Sequence, residues 1–178
     1  MAQRSVETSA PVFSDGSVAL PRPLQRPPRR LHSHTTSFTV GEGKGYLTVA
    51  RTADGQPAEA LIRMAKQGST LAGMMDAFST TITRGLRHGV PLEVFCVDYV
   101  GMRFAPAGLT NDPDIRQASS VMDYVGRRLA LDYLPYEVRV GMGVLTAEER
   151  RTKEALDGVD DAVWSDFVGL AMSVPSAR

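Results

Sequence analysis

The chain has one cysteine, Cys96, among 178 residues. A single thiol cannot close an intramolecular disulfide, and it cannot build a zinc site from several thiolates. Histidine is almost as scarce, with His32, His34 and His88 the only three. No carboxylate or thiol is spaced with them as a metal triad requires, so no metal is expected. Net charge is also lacking: Lys plus Arg is 20 and Asp plus Glu is 20. A balanced total provides no broad field to attract nucleic acid or anionic lipid. No apolar run approaches the length of a membrane span, and the N-terminus lacks the apolar core of a secretory signal. The expectation is a cytoplasmic protein with no membrane or specific nucleic-acid partner.

What is present is ordinary for a soluble α+β domain. Hydrophobic residues make up 43% and charged residues 22%, and the length suits one modest core. Residues 1–34 hold Pro11, Pro21, Pro23, Pro27 and Pro28 together with Arg4, Arg22, Arg26, Arg29 and Arg30. Proline removes backbone donors and the apolar residues show no period, so this stretch reads as a disordered or extended Pro/Arg-rich arm. A basic docking arm is the functional alternative, and a plain solvated tail is the simpler reading.

From Thr35 the pattern alternates with period two: Thr36, Phe38 and Val40 against Thr35, Ser37 and Thr39. Gly41 to Gly45 reads as a hairpin loop, Tyr46 to Arg51 as a second strand and Asp54-Gly55 as a turn. Ala58 to Met64 reads as a third strand, opened by Pro57, where a missing donor is tolerated. The expected product is a three-stranded antiparallel meander. The period then becomes helical. Leu71, Met74, Met75, Phe78, Ile82 and Leu86 share one face, with Asp76, Thr80, Thr83, Arg84 and Arg87 on the other. Ser69 or Thr70 is the expected N-cap and Gly89 the residue after the C-cap. Pro91 suits the start of a short helix through Tyr99.

A loop over Met102 to Pro113 precedes a second long helix expected from about Asp114 to Leu134. Its apolar stripe is Ile115, Ala118, Val121, Met122, Val125, Leu129 and Tyr133, with Asp123 and Arg127 pairing on the outer face. The division expected is an arm at 1–34, an α+β domain at 35–134 packed on two long helices, and a helical C-terminal extension at 135–178. Within the extension, Thr146 to Glu149 reads as a capping box, and Asp160 to Met172 as a further helix.

The best candidate for a ligand site is the mouth of the first long helix, Gly68, Ser69 and Thr70, with Lys66 two residues before. Helix N-termini present free N–H groups and a positive dipole end that suit phosphate. An ordinary capped turn fits the same spacing and is the commoner occurrence. Arg103 could join such a site by bidentate anion binding, or could tie its loop to Asp112 or Asp114. The Gly41-x-Gly43-x-Gly45 spacing sits between two strands and lacks dinucleotide-binding context. Cys96, flanked by Phe95 and Val97 with Glu93 and Asp98 nearby, reads as a buried small hydrophobe. No carboxylate pair stands out for acid–base work. No catalytic residue is expected.

Several segments in unbroken order carry a resemblance. They are MAKQGSTLAGMMDAFSTTITR over Met64–Arg84, the stretch Met102–Leu134, Gly45–Val49, Asp54-Gly55, Gly89–Glu93, and Leu131–Pro135 through Thr146–Arg150. Together, from about Thr35 to Arg150, they resemble the C-terminal, TSCPD-type module of adenosylcobalamin-dependent ribonucleotide reductases, although the literal Thr-Ser-Cys-Pro-Asp string is absent. In that family a preceding barrel binds adenosylcobalamin and nucleotide and carries the radical cysteine. Many members end in a Cys-rich tail, whereas here the sequence closes Ser173–Arg178 without one. The resemblance therefore implies a free-standing accessory or regulatory module without the barrel. It would act in deoxyribonucleotide synthesis through a partner catalytic chain that holds the adenosylcobalamin, with a nucleotide a further ligand. A detached nucleotide- or protein-binding module outside ribonucleotide reduction is the alternative. Self-association into a homo-oligomer is left open.

Overall fold

The computed structural model describes residues 28–156. The Pro/Arg-rich arm up to residue 27 and the helix expected over 160–172 lie outside the described residues. Three strands open the fold, β1 (His32–Val40), β2 (Gly43–Arg51) and β3 (Pro57–Met64), in the order β1-β2-β3. Two helices follow, α1 (Thr70–Arg87) and α2 (Leu92–Tyr99), then a small antiparallel pair, β4 (Gly108–Leu109) and β5 (Gln117–Ala118). Helices α3 (Val121–Tyr133) and α4 (Tyr136–Gly141) come next, and a helix over 147–156, here α5, reaches the edge of the described residues. The architecture is α+β: an antiparallel three-stranded sheet with helices.

The hairpin is tighter than the glycine spacing suggests. Only Gly41 takes the left-handed region, at φ 55°, while Gly43 already opens β2. A side chain at Gly41 would also place its Cβ 2.5 Å from the carbonyl oxygen of Ala107. Strand β1 starts at His32, three residues before the alternation. His32 to Thr35 are exposed on both faces, so no period of two marks them.

The chain divides into two compact units. Of the described residues, one takes 28–36 and 46–91 and the other 37–45 and 92–156. In the first, Leu47, Val49, Ala60, Ile62, Met75 and Ile82 are buried. Helix α1 is stopped as expected: Ser69 caps its start, and Gly89 follows the C-cap His88 at φ 78°. Two positions depart from the expected amphipathic face. Ser79 is buried and Met74 is exposed. Ser79 Oγ accepts the Ile62 N–H at 2.8 Å and donates to the Met75 carbonyl at 2.7 Å. Thr83 Oγ1, expected to face solvent, accepts the Ala60 N–H at 3.1 Å and lies 3.2 Å from the Ala60 carbonyl. Strand β3 is an edge strand with unpaired backbone groups on its free side. Two hydroxyls one helical turn apart take the place of a fourth strand there.

In the second unit α3 begins at Val121, seven residues later than its apolar stripe suggested. Residues 108–118 form the β4–β5 hairpin instead, and its loop is fixed by side chains. Asp112 Oδ1 accepts the Asp114 N–H at 2.9 Å, and Thr110 Oγ1 bonds the Ile115 carbonyl. Such Asx turns compete with helix and end where Ser120 caps α3. Ile115 and Ala118 are buried as expected, but from the hairpin rather than from a helix. Helix α3 packs on α2 through Gly126, where an added Cβ would lie 2.9 Å from the Tyr99 Cβ. Phe38 stacks on Tyr124 with ring centroids 4.7 Å apart. The capping box forms: Thr146 Oγ1 accepts the Glu149 N–H at 3.1 Å and Glu149 Oε2 accepts the Thr146 N–H at 2.7 Å.

Candidate functional site

The strand-to-helix turn at the mouth of α1 is built from two left-handed residues, Ala65 at φ 65° and Gly68 at φ 83°. Between them the Lys66 carbonyl accepts the Ser69 N–H at 3.0 Å. Ser69 Oγ then accepts the Ala72 N–H at 3.2 Å. Its hydroxyl thus serves the helix as a cap. A cleft of about 630 Å³ adjoins this turn, lined by Met64, Gln67, Gly68 and Ser69 among others. Lys66 and Thr70 are exposed and lie outside its lining. Asp76 does line it, paired with Arg63 at 2.8 Å. Arg63 lines the cleft as well, so its charge and that of Asp76 offset each other there. Arg103 is exposed and belongs to the other unit. No carboxylate pairs with it among the described residues. The partner of Asp112 and Asp114 is Arg128, at 3.3 and 3.6 Å.

Sequence spacing missed the polar centre of the second unit. Arg128 also pairs with Asp132 at 2.6 Å, so three carboxylates surround one guanidinium. The Tyr124 hydroxyl donates to Asp112 Oδ2 at 3.0 Å. Burial, and then the Asp112 charge, raise the Tyr124 phenol above its ordinary range, so it stays a donor. The i, i+4 spacing of Arg128 and Asp132 was the one available signal. Asp123 does pair with Arg127, at 2.8 Å, but on a buried face and not an outer one. Burial works against its charge, yet the N–H groups of Gly101 and Ser119, with Arg127, outweigh it and hold the pKa below the usual carboxylate value. Arg139, also buried, forms a two-pronged pair with Glu149 at 2.8 Å. Asp112, Asp114, Asp123, Arg139 and Glu149 each also bond backbone N–H or carbonyl groups and so hold loops in place.

Cys96 is fully buried. Burial first, and then the charge of Glu93, push its thiol up to about 12, so it is protonated near neutral pH. Among the described residues no group of three or more His, Cys, Asp or Glu side chains gathers as a metal site would need. His32 and His34 are exposed on β1 and His88 ends α1. No helix of the described residues is long and apolar enough to cross a membrane.

Curated relatives carry the name vitamin B12-dependent ribonucleotide reductase. The protein of Streptomyces avermitilis is 48% identical over 160 residues, which is 88% of this chain and 17% of that protein. The protein of Streptantibioticus cattleyicolor is 45% identical over 174 residues, 97% of this chain and 29% of that protein. The protein of Rhodopirellula baltica is 42% identical over 110 residues, 62% of this chain and 11% of that protein. The chain therefore spans less than a third of the length of these relatives. No solved structure matches it. The family model described as the TSCPD domain matches residues 19–133, well over half of the sequence, and the chain belongs to the TSCPD domain family.

Proposed function

We propose that this chain is an accessory module of an adenosylcobalamin-dependent ribonucleotide reductase. It acts in deoxyribonucleotide synthesis, in the cytoplasm, through a catalytic chain that holds the adenosylcobalamin and the radical cysteine. The observation that carries this reading is the 48% identity along 88% of the chain to one segment of a far longer vitamin B12-dependent ribonucleotide reductase. Cys96 is the sequence's single cysteine and is fully buried, with no second thiol to form a redox pair, which supports assigning radical chemistry to another chain. The alternative, a binding module outside ribonucleotide reduction, rests on the arm and on the tail after Arg150 as features foreign to the family. The match to the Streptantibioticus cattleyicolor protein covers 97% of the chain, so those segments do not set it apart. Affinity capture from the native host is the test. A reductase catalytic chain should be recovered. Recovery of unrelated proteins alone would refute the reading.

A further inference from the structure

The unit formed by residues 37–45 and 92–156 holds a second cleft, of about 220 Å³. Its floor is apolar, with Ile115 and Val144 both buried. Three arginines line it, Arg116, Arg127 and Arg150, against a single acidic residue, Asp114. Arg150 is held rigidly by two neutral acceptors, the carbonyls of Leu145 at 2.6 Å and Asp114 at 2.8 Å. Among the described residues no carboxylate neutralises it. Arg116 is exposed, and its guanidinium has no partner among them either. Arg127 uses Nε on Asp123.

The one carboxylate on the wall is already engaged. Asp114 Oδ1 accepts the Ala147 N–H at 2.9 Å and Oδ2 lies 3.6 Å from Arg128. Asp112 and Asp132 pair with Arg128, which is not part of the lining, and Asp123 neutralises Arg127, which leaves Arg116 and Arg150 without a carboxylate partner among the described residues. Arg150, half-buried, fixed in orientation and without a carboxylate partner, suits an oxyanion, and the local excess of cationic side chains favours a phosphate over a singly charged carboxylate. Size selects further. Sites for whole drug-sized ligands run to roughly 300–1,000 Å³, and this cleft is smaller, so it suits a phosphate group with the rest of an ester outside.

We propose that this cleft binds a phosphate group, seated between Arg116 and Arg150. The inference is independent of the reductase reading. The shared chemistry fits both free phosphate and a nucleotide phosphate, and titration separates the two. The full chain is titrated calorimetrically with inorganic phosphate, with adenosine monophosphate, and with acetate at matched ionic strength. Saturable binding of one or both phosphates is expected, without binding of acetate. Comparable affinities assign the group alone, and a preference for the monophosphate assigns the ester. Arg116→Gln, which breaks no described contact, should weaken binding about tenfold, the loss of one charge-assisted bond. Arg150→Lys keeps the charge and loses the fork, and should weaken it at least as much. If that variant fails to fold, Arg116→Gln alone decides. Lys66→Ala and Arg103→Ala should leave binding unchanged. No saturable binding, equal binding of acetate, or undiminished binding in Arg116→Gln would each overturn the proposal.

Discussion

Replacing Ser79 by alanine tests whether two helix hydroxyls stand in for a fourth strand. Ser79 is 4% exposed, and its Oγ is the partner of the Ile62 N–H on the free edge of β3. Without the hydroxyl that N–H loses its partner in a buried interface, at a cost of about 1–3 kcal/mol. Alanine is the better helix former by about 0.5 kcal/mol, which offsets part of the loss. A net destabilisation of about 0.5–2.5 kcal/mol is expected, and for a chain of this size it corresponds to a fall in Tm of about 1–10 °C. Thr80→Ala is the control, because Thr80 Oγ1 is exposed and donates only to Asp76 within its own helix. That change should stay within about 0.5 kcal/mol. Denaturant titration of the three proteins gives the energies. Amide hydrogen exchange at Ile62 localises the effect, which should be faster exchange in Ser79→Ala. Equal stability of the two variants, with unchanged protection at Ile62, would refute the reasoning.

Gly126→Ala puts a Cβ 2.9 Å from the Tyr99 Cβ and 3.2 Å from the Val100 nitrogen; overpacking of about 1–3 kcal/mol should exceed the gain of up to ~1 kcal/mol in helix propensity, as measured by denaturation. The Arg139 side-chain bond, joined by the Thr146 N–H, lowers the Glu149 pKa from 4.5 to about 2. A lowered folded-state pKa gives stability that is present above pH 4.5 and lost as pH falls towards about 2; acid titration of Glu149→Gln should show a shallower decline through that window. Cys96, with its thiol pushed up to about 12, should resist a thiol reagent at about pH 8 in the native protein and react fully in denaturant; rapid native labelling would show that the α2 face is open.

Elements whose burial repeats with their own period were legible. Ala58, Ala60, Ile62 and Met64 alternate through β3, and α1 is bracketed by Ser69 and Gly89. The capping box at Thr146 was readable because both of its bonds are local. The start of α3 was not. Ile115 and Ala118 extend its apolar stripe by chance of spacing, while the turn that breaks the helix depends on Asp112 and Thr110 bonding nearby backbone. Hydropathy does not register such bonds. The same limit hid Ser79 and Thr83. Polar side chains at helical spacing read as a solvated face unless the partner strand is known to be an edge.

The candidate site follows the same logic one level up. Lys66, Gly68, Ser69 and Thr70 stand out because they are contiguous, and contiguity is what a sequence displays. The structure shows the Ser69 hydroxyl capping its own helix and Asp76 lining the adjoining cleft. Arg116, Arg127 and Arg150 are spread over 35 positions of the sequence and on different elements. Each alone reads as an ordinary surface arginine. Their convergence on one cleft depends on the β4–β5 hairpin delivering Arg116 and on the capping box starting α5 three residues before Arg150. The first of those two elements escaped sequence reading, so the cleft escaped it too.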